Sequence, residues 1–129
     1  MLITSIPQYV QGITNAKIDL TNTNDTVLYT APSGADFNAS VVNSILVSND
    51  SGSADTITVT LVSGSDTFSL FKLEEVGAVS TKELLLKDLV LQSGEIIKVQ
   101  AATGARLHVV ASIQEITKQR ITTSALANI

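Results

Sequence analysis

Phe37-Asn38-Ala39-Ser40-Val41-Val42-Asn43-Ser44-Ile45-Leu46-Val47-Ser48 is the stretch that decides the fold. Phe37, Ala39, Val41, Ile45 and Val47 occupy odd positions, with Asn38, Ser40, Ser44 and Ser48 between them. A period of two marks a strand with one buried and one wet face. Asn49-Asp50-Ser51-Gly52-Ser53 then interrupts with residues that tolerate positive φ or bond their own backbone. After it Ile57, Val59 and Leu61 point one way, and Thr56, Thr58 and Thr60 the other. From Phe37 to Val62 the chain reads as two long strands folded back on each other. Matching parity in the later strands predicts a core containing Val47, Ile57, Val59, Val109 and Ala111.

Toward the C-terminus, Ser63-Gly64-Ser65-Asp66 turns the chain into Thr67–Leu73, where alternation fails. Phe68, Leu70, Phe71 and Leu73 fit neither face, which a bulge would explain. Glu74–Lys82 reads as a loop or weak strand around Gly77. Ser80-Thr81-Lys82-Glu83 before Leu84-Leu85-Leu86 has the form of a capping box. Every flanking segment reads as strand, so residues 80–89 are assigned to strand rather than helix. Ile97, Val99 and Ala101 alternate with Lys98 and Gln100, and Thr103-Gly104-Ala105 turns the chain. Leu107, Val109, Ala111 and Ile113 then alternate with His108, Ser112 and Gln114.

Toward the N-terminus, Thr26–Thr30 is a short strand closed by Ala31-Pro32-Ser33-Gly34, preceded by the Asn22–Asp25 turn. Residues 1–24 carry scattered apolar side chains with Pro7 among them, which predicts an extended arm with one short strand over Ala16–Leu20. After Thr117 the alternation dissolves again. Short strands with turn chemistry between them predict an all-β, jelly-roll-like antiparallel β-sandwich over residues 25–116. Residues 1–24 and 117–129 are expected to be extended terminal arms. Segments of this kind cannot bury themselves, and ordering each residue costs roughly 1–2 kcal/mol of backbone entropy. Ile3, Ile6, Tyr9, Val10, Ile13, Lys118, Arg120, Ile121, Leu126 and Ile129 are therefore the candidate interface residues.

The 129 residues suffice for one domain that buries roughly two-thirds of its unfolded surface. Apolar residues make up 44% and aromatic residues 4%, so the core is aliphatic. Charged residues reach 16%, against about 25% in ordinary soluble domains, leaving solubility to Thr, Ser and Asn. A net charge of −4 without a basic stripe argues against nucleic-acid binding. The absence of cysteine excludes a disulfide scaffold and thiolate metal sites. No apolar run approaches 18 residues, so no membrane span is expected, and Met1–Ser5 lacks the basic start of a secretory signal.

No chemistry emerges from the side chains. The single histidine, His108, sits opposite in parity to Leu107 and Val109 and reads as a solvent-facing strand residue rather than part of a triad. One histidine and no cysteine make zinc improbable. Asn49, Asp50 and Asp55 could offer oxygens to calcium, but their spacing matches no EF-hand loop and a hairpin turn explains them. Glu74 and Glu75 are adjacent, and on a strand they face opposite sides. The glycines make no phosphate-binding spacing. No catalytic, metal or cofactor residue is assigned, and enzyme activity is not expected.

Four phrases in order carry a family likeness: Val27–Gly34; Ser44–Asn49 leading into Gly52–Val59; Leu89–Ala101; and the closing strand Leu107–Glu115. Together they resemble the small β-sandwich virion proteins of tailed bacteriophages, across Thr26–Ile116. The resemblance implies a structural protein made in the host cytoplasm and located on the virion surface. A capsid decoration (cement) protein is its first implication, and a neck, baseplate or fibre component its second. Such proteins contact capsid or other virion proteins and are often homo-oligomers, which favours a trimer here. The family brings no cofactor or catalytic residue. From another class, a carbohydrate-binding module would share the sandwich, but its sugar-stacking aromatics are scarce here: Tyr9, Tyr29, Phe37, Phe68 and Phe71 are few and mostly at core parity.

Overall fold

The structure is a computed structural model that describes the backbone of residues 5–122 and the side chains of residues 11–118. Within that range the chain forms nine strands and no helix. They are β1 (Ser5–Leu20), β2 (Thr26–Thr30), β3 (Phe37–Asn49), β4 (Asp55–Ser63), β5 (Asp66–Val76), β6 (Ser80–Glu83), β7 (Leu89–Leu91), β8 (Ile96–Ala101) and β9 (Leu107–Thr122). One sheet has the order β1-β9-β3-β6, with β7 also paired to β3; the other has the order β2-β8-β4-β5. Every pairing is antiparallel. The chain changes sheet at each connection except β4–β5 and β6–β7. The result is a β-sandwich, as the alternating sequence implies.

The inner faces meet in an aliphatic core. Val47, Ile57, Val59, Val109 and Ala111 are all buried there, with Ile45, Leu91, Ile97, Val99, Leu107 and Ile113 beside them. Parity assigns these residues because each lies on a strand whose two faces meet different solvents. Burying one such aliphatic side chain is worth about 1.5–3 kcal/mol, so this cluster is the main source of stability.

β3 departs from simple alternation. Its register against β9 shifts between Phe37 and Ala39 and again between Val42 and Ser44. Each shift inserts a residue, and each inverts the parity of what lies before it. Val42 and Ser40 are therefore the buried residues, while Val41 turns to the outer face. The expectation that Ala39 and Val41 share a face with Ile45 is corrected by these bulges. Failed alternation in β5 has the same cause: its register against β4 shifts between Ile57 and Val59 and between Val59 and Thr60. Leu73, beside the first shift, sits at φ 53.

Residues 80–89 are strand at both ends, β6 and β7, joined by an irregular connection over Leu84–Asp88. What resembled a helix cap is instead a bracket. The Glu83 carboxylate accepts hydrogen bonds from the Ser44 hydroxyl, Ile45 N (2.8 Å) and Leu85 N (3.1 Å), holding the connection against the second bulge of β3.

At the opposite chain ends the arms are strands. β1 is sixteen residues long, not the five of Ala16–Leu20, and it pairs with β9 without a register shift from Ser5↔Thr122 to Leu20↔Leu107. β9 likewise continues through the position where alternation dissolves. Beyond Phe37↔Thr117 no third strand pairs with β9 among the described residues, and the first and last strands run on as a two-stranded ribbon.

Candidate interaction surface

The turns at one end of the sandwich use up the polar groups that a metal site would need. Asn49 is buried, and its amide donates to Ser53 O (2.8 Å) and Val76 O (3.2 Å) while its oxygen accepts from Ser51 N (2.9 Å). Asp55 accepts from Thr56 N (2.9 Å) and Thr103 N (3.2 Å). Among the described residues, no three His, Cys, Asp or Glu side chains gather as metal ligands would. Glu74 pairs with Lys82, apart from Glu75. Gly104 at this end packs so tightly that a Cβ would meet Thr21 O at 2.7 Å.

His108 faces outward, as its parity implies. Sequence left it without a partner, yet Asp19 on β1 and Asp50 after β3 flank its two ring nitrogens, each at 3.5 Å. All three side chains are substantially exposed. Pairs of this kind are worth about 0–1 kcal/mol. Ser48 on β3 stands opposite His108 on the same face.

At the other end, Tyr29 reaches from β2 across the sandwich mouth to the facing sheet. Its hydroxyl bonds Ser40 Oγ on β3 (2.7 Å) and donates to Glu115 Oε2 on β9. Burial and the Glu115 carboxylate push the phenol up to about 12, from the usual 10.0. A neutral phenol held this way is a structural clip between sheets rather than an acid or base for chemistry near neutrality.

Just outside that clip the inner cover ends. Leu20 on β1 is buried and Ile18 and Ala16 are half-buried, but every residue from Gln11 to Asn15 is exposed. Ile13 is 83% exposed. On the outer face it stands in a cross-strand row with Gln114, Val41 and Val90. Asn15, Ser112 and Ser44 form the next such row, and Lys17, Val110, Leu46 and Glu83 the one after.

Of the residues expected to make an interface, the structure brings several together in the β1–β9 ribbon. Ile6 is opposite Ile121, Tyr9 opposite Lys118 and Val10 opposite Thr117, while Arg120 faces Pro7. Lys118 N also donates to Asp36 O at 2.6 Å. Ile13 lies on the same strand, at the exposed stretch. Ile3, Leu126 and Ile129 lie outside the described residues. That the two arms pair with each other was not legible, because the scattered apolar residues of neither arm follow a period of two.

No protein-family model matches the sequence, and no curated protein matches it. Solved structures do align with the chain. A chain from the acid-stable capsid of Helicobacter pylori bacteriophage KHP30 aligns with a TM-score of 0.53 at 14% identity, covering 90% of this chain and 98% of that one. A chain from the disulfide-linked pili of Bacillus endospore appendages aligns at 0.42 and 15% identity, over 92% and 88%. A chain from infectious bursal disease virus, Gt strain, aligns at 0.44 and 10% identity, over 90% of this chain and 33% of that one. At 14% identity the likeness to the bacteriophage capsid chain is one of fold alone.

Proposed function

We propose that the chain is a non-enzymatic structural protein of a tailed-bacteriophage virion, a capsid decoration (cement) protein that stabilises the head shell by protein–protein contacts. It would be made in the host cytoplasm and work at the particle surface, as a homo-oligomer. The observation that carries this is the β1–β9 ribbon, in which the two strands go on pairing with each other beyond the last residue of β9 that β3 pairs. Isolated two-stranded ribbons are marginal in water, so a projection of this length is suited to a partner that covers it. The fold shared with a phage capsid chain supports the same reading. A neck, baseplate or fibre component of the same virion would use the ribbon similarly.

Truncation tests it. Removing all of residues 1–20 would uncover β9 and the buried Leu20, so the cut belongs at Gln11, with a second variant lacking residues 119–129. Both variants are expected to keep β-rich circular dichroism while losing occupancy on purified particles. Wild-type decoration of heads by both would refute the anchoring role.

A further inference from the structure

A sheet edge is a row of unpaired N–H and C=O groups, and natural proteins blunt such rows by shortness, bulges, charge or proline. The end strands here follow that rule with one exception. β2 has five residues and a register shift. β5 carries two shifts and a left-handed Leu73. β6 and β7 have four and three residues. β1 has sixteen residues and no shift. From Gln8 to Ala16 it contains no charge and no proline. Among the described residues nothing pairs its far side, and roughly half of its residues direct their backbone groups there.

We propose that this edge is a pairing site for a second copy of the chain, with β1 meeting β1 of the partner in antiparallel register about a two-fold axis at Ile13. The other edges of the chain are short or bulged, so β1 of a second copy is the long regular edge it can meet. The charges select the orientation. Lys17 and Asp19 are the charged residues of β1, both near one end. Antiparallel pairing centred on Ile13 sets Lys17 opposite the partner's Tyr9 and Asp19 opposite the partner's Pro7. The two lysines then stand about 25 Å apart along the strands. In-register parallel pairing would instead set lysine on lysine and aspartate on aspartate, which is unfavourable. The two-fold register also keeps outer face with outer face, since paired positions share parity. It joins two five-stranded sheets into one and extends the exposed row at Ile13 across both copies.

A ring of three would need β1 to meet a different edge of its neighbour. The other edges are short or bulged, so the trimer expected from sequence gives way to a dimer. The inference deepens the assembly part of the proposed function, but solution mass tests it separately from binding to particles.

The chain has no cysteine, so single cysteines report cleanly. Ile13→Cys should give a disulfide-linked dimer on mild oxidation. Leu86→Cys, at a fully exposed position in the β6–β7 connection, should stay largely uncrosslinked. By light scattering the unmodified chain should have twice the 13.6 kDa of one copy. Ile13→Lys should halve that mass while keeping β-rich circular dichroism, because within one copy the side chain is exposed. A one-chain or three-chain mass for the unmodified protein, or equal cross-linking at both cysteines, would overturn the proposal.

Discussion

Tyr29 shows how much one side chain can hold that no pattern announces. It links β2 to a serine and a glutamate far away in sequence, and its phenol is held neutral up to about pH 12. Because the folded pKa lies above the ordinary 10.0, the clip's contribution is complete below pH 10 and is lost as pH rises toward 12. Denaturant midpoints should therefore fall across that window, and Tyr29→Phe should flatten the fall while lowering neutral-pH stability by about 1–3 kcal/mol. An unchanged alkaline profile in the phenylalanine variant would show that other groups cause it. Glu83 has the opposite sign. Burial raises its pKa, but the Ser44 hydroxyl and the N–H groups of Ile45, Leu85 and Leu84 outweigh that and hold the carboxyl below its usual 4.5. Its bracket persists above that value and weakens in stronger acid. Neither role was legible, since hydrogen bonds between residues 29 and 115, or 44 and 83, leave no mark on local spacing. Burial of Val47 and Ile57 was legible because it repeats every second residue.

At the scale of strands, legibility tracked regularity. β4, β8 and the first half of β9 bury the residues their alternation names. β5 announced a defect without locating it. β3 looked regular while concealing two bulges, because Val41-Val42 offers an apolar residue to either face. The β5 bulge supplies a test. Leu73 holds a left-handed conformation, which costs a side chain with a Cβ about 1–2 kcal/mol, and it is 61% exposed. Its N–H still reaches Thr58 Oγ1 at 3.2 Å. Leu73→Gly should raise the urea midpoint, with a net gain of about 0.5–1 kcal/mol after the greater flexibility of unfolded glycine is subtracted. A lowered midpoint would mean that Leu73 is held by packing rather than tolerated by the turn.

Over the whole molecule, stability rests on the contact between two sheets across an aliphatic core, with the buried Asp55 satisfied by Thr56 N and Thr103 N. Val59 lies at the middle of that core, with no exposed surface. Val59→Asp would place an unpaired carboxylate there and is expected to abolish folding, read as loss of β-rich circular dichroism and of soluble protein. A soluble, β-rich variant would contradict the assignment of the core. The ribbon belongs to the same scale, since β1 and β9 are the first and last strands and their partners lie 87 (107 − 20) to 117 (122 − 5) positions apart. Closing so long a loop costs about 3 kcal/mol more entropy than closing a tight hairpin. It also imposes a timetable. During synthesis β1 leaves the ribosome long before the strand it must pair with exists, and until β9 is made there is no sheet for β1 to border. The open edge is thus a property of the finished chain alone, so a half-made copy has no completed edge to offer a neighbour.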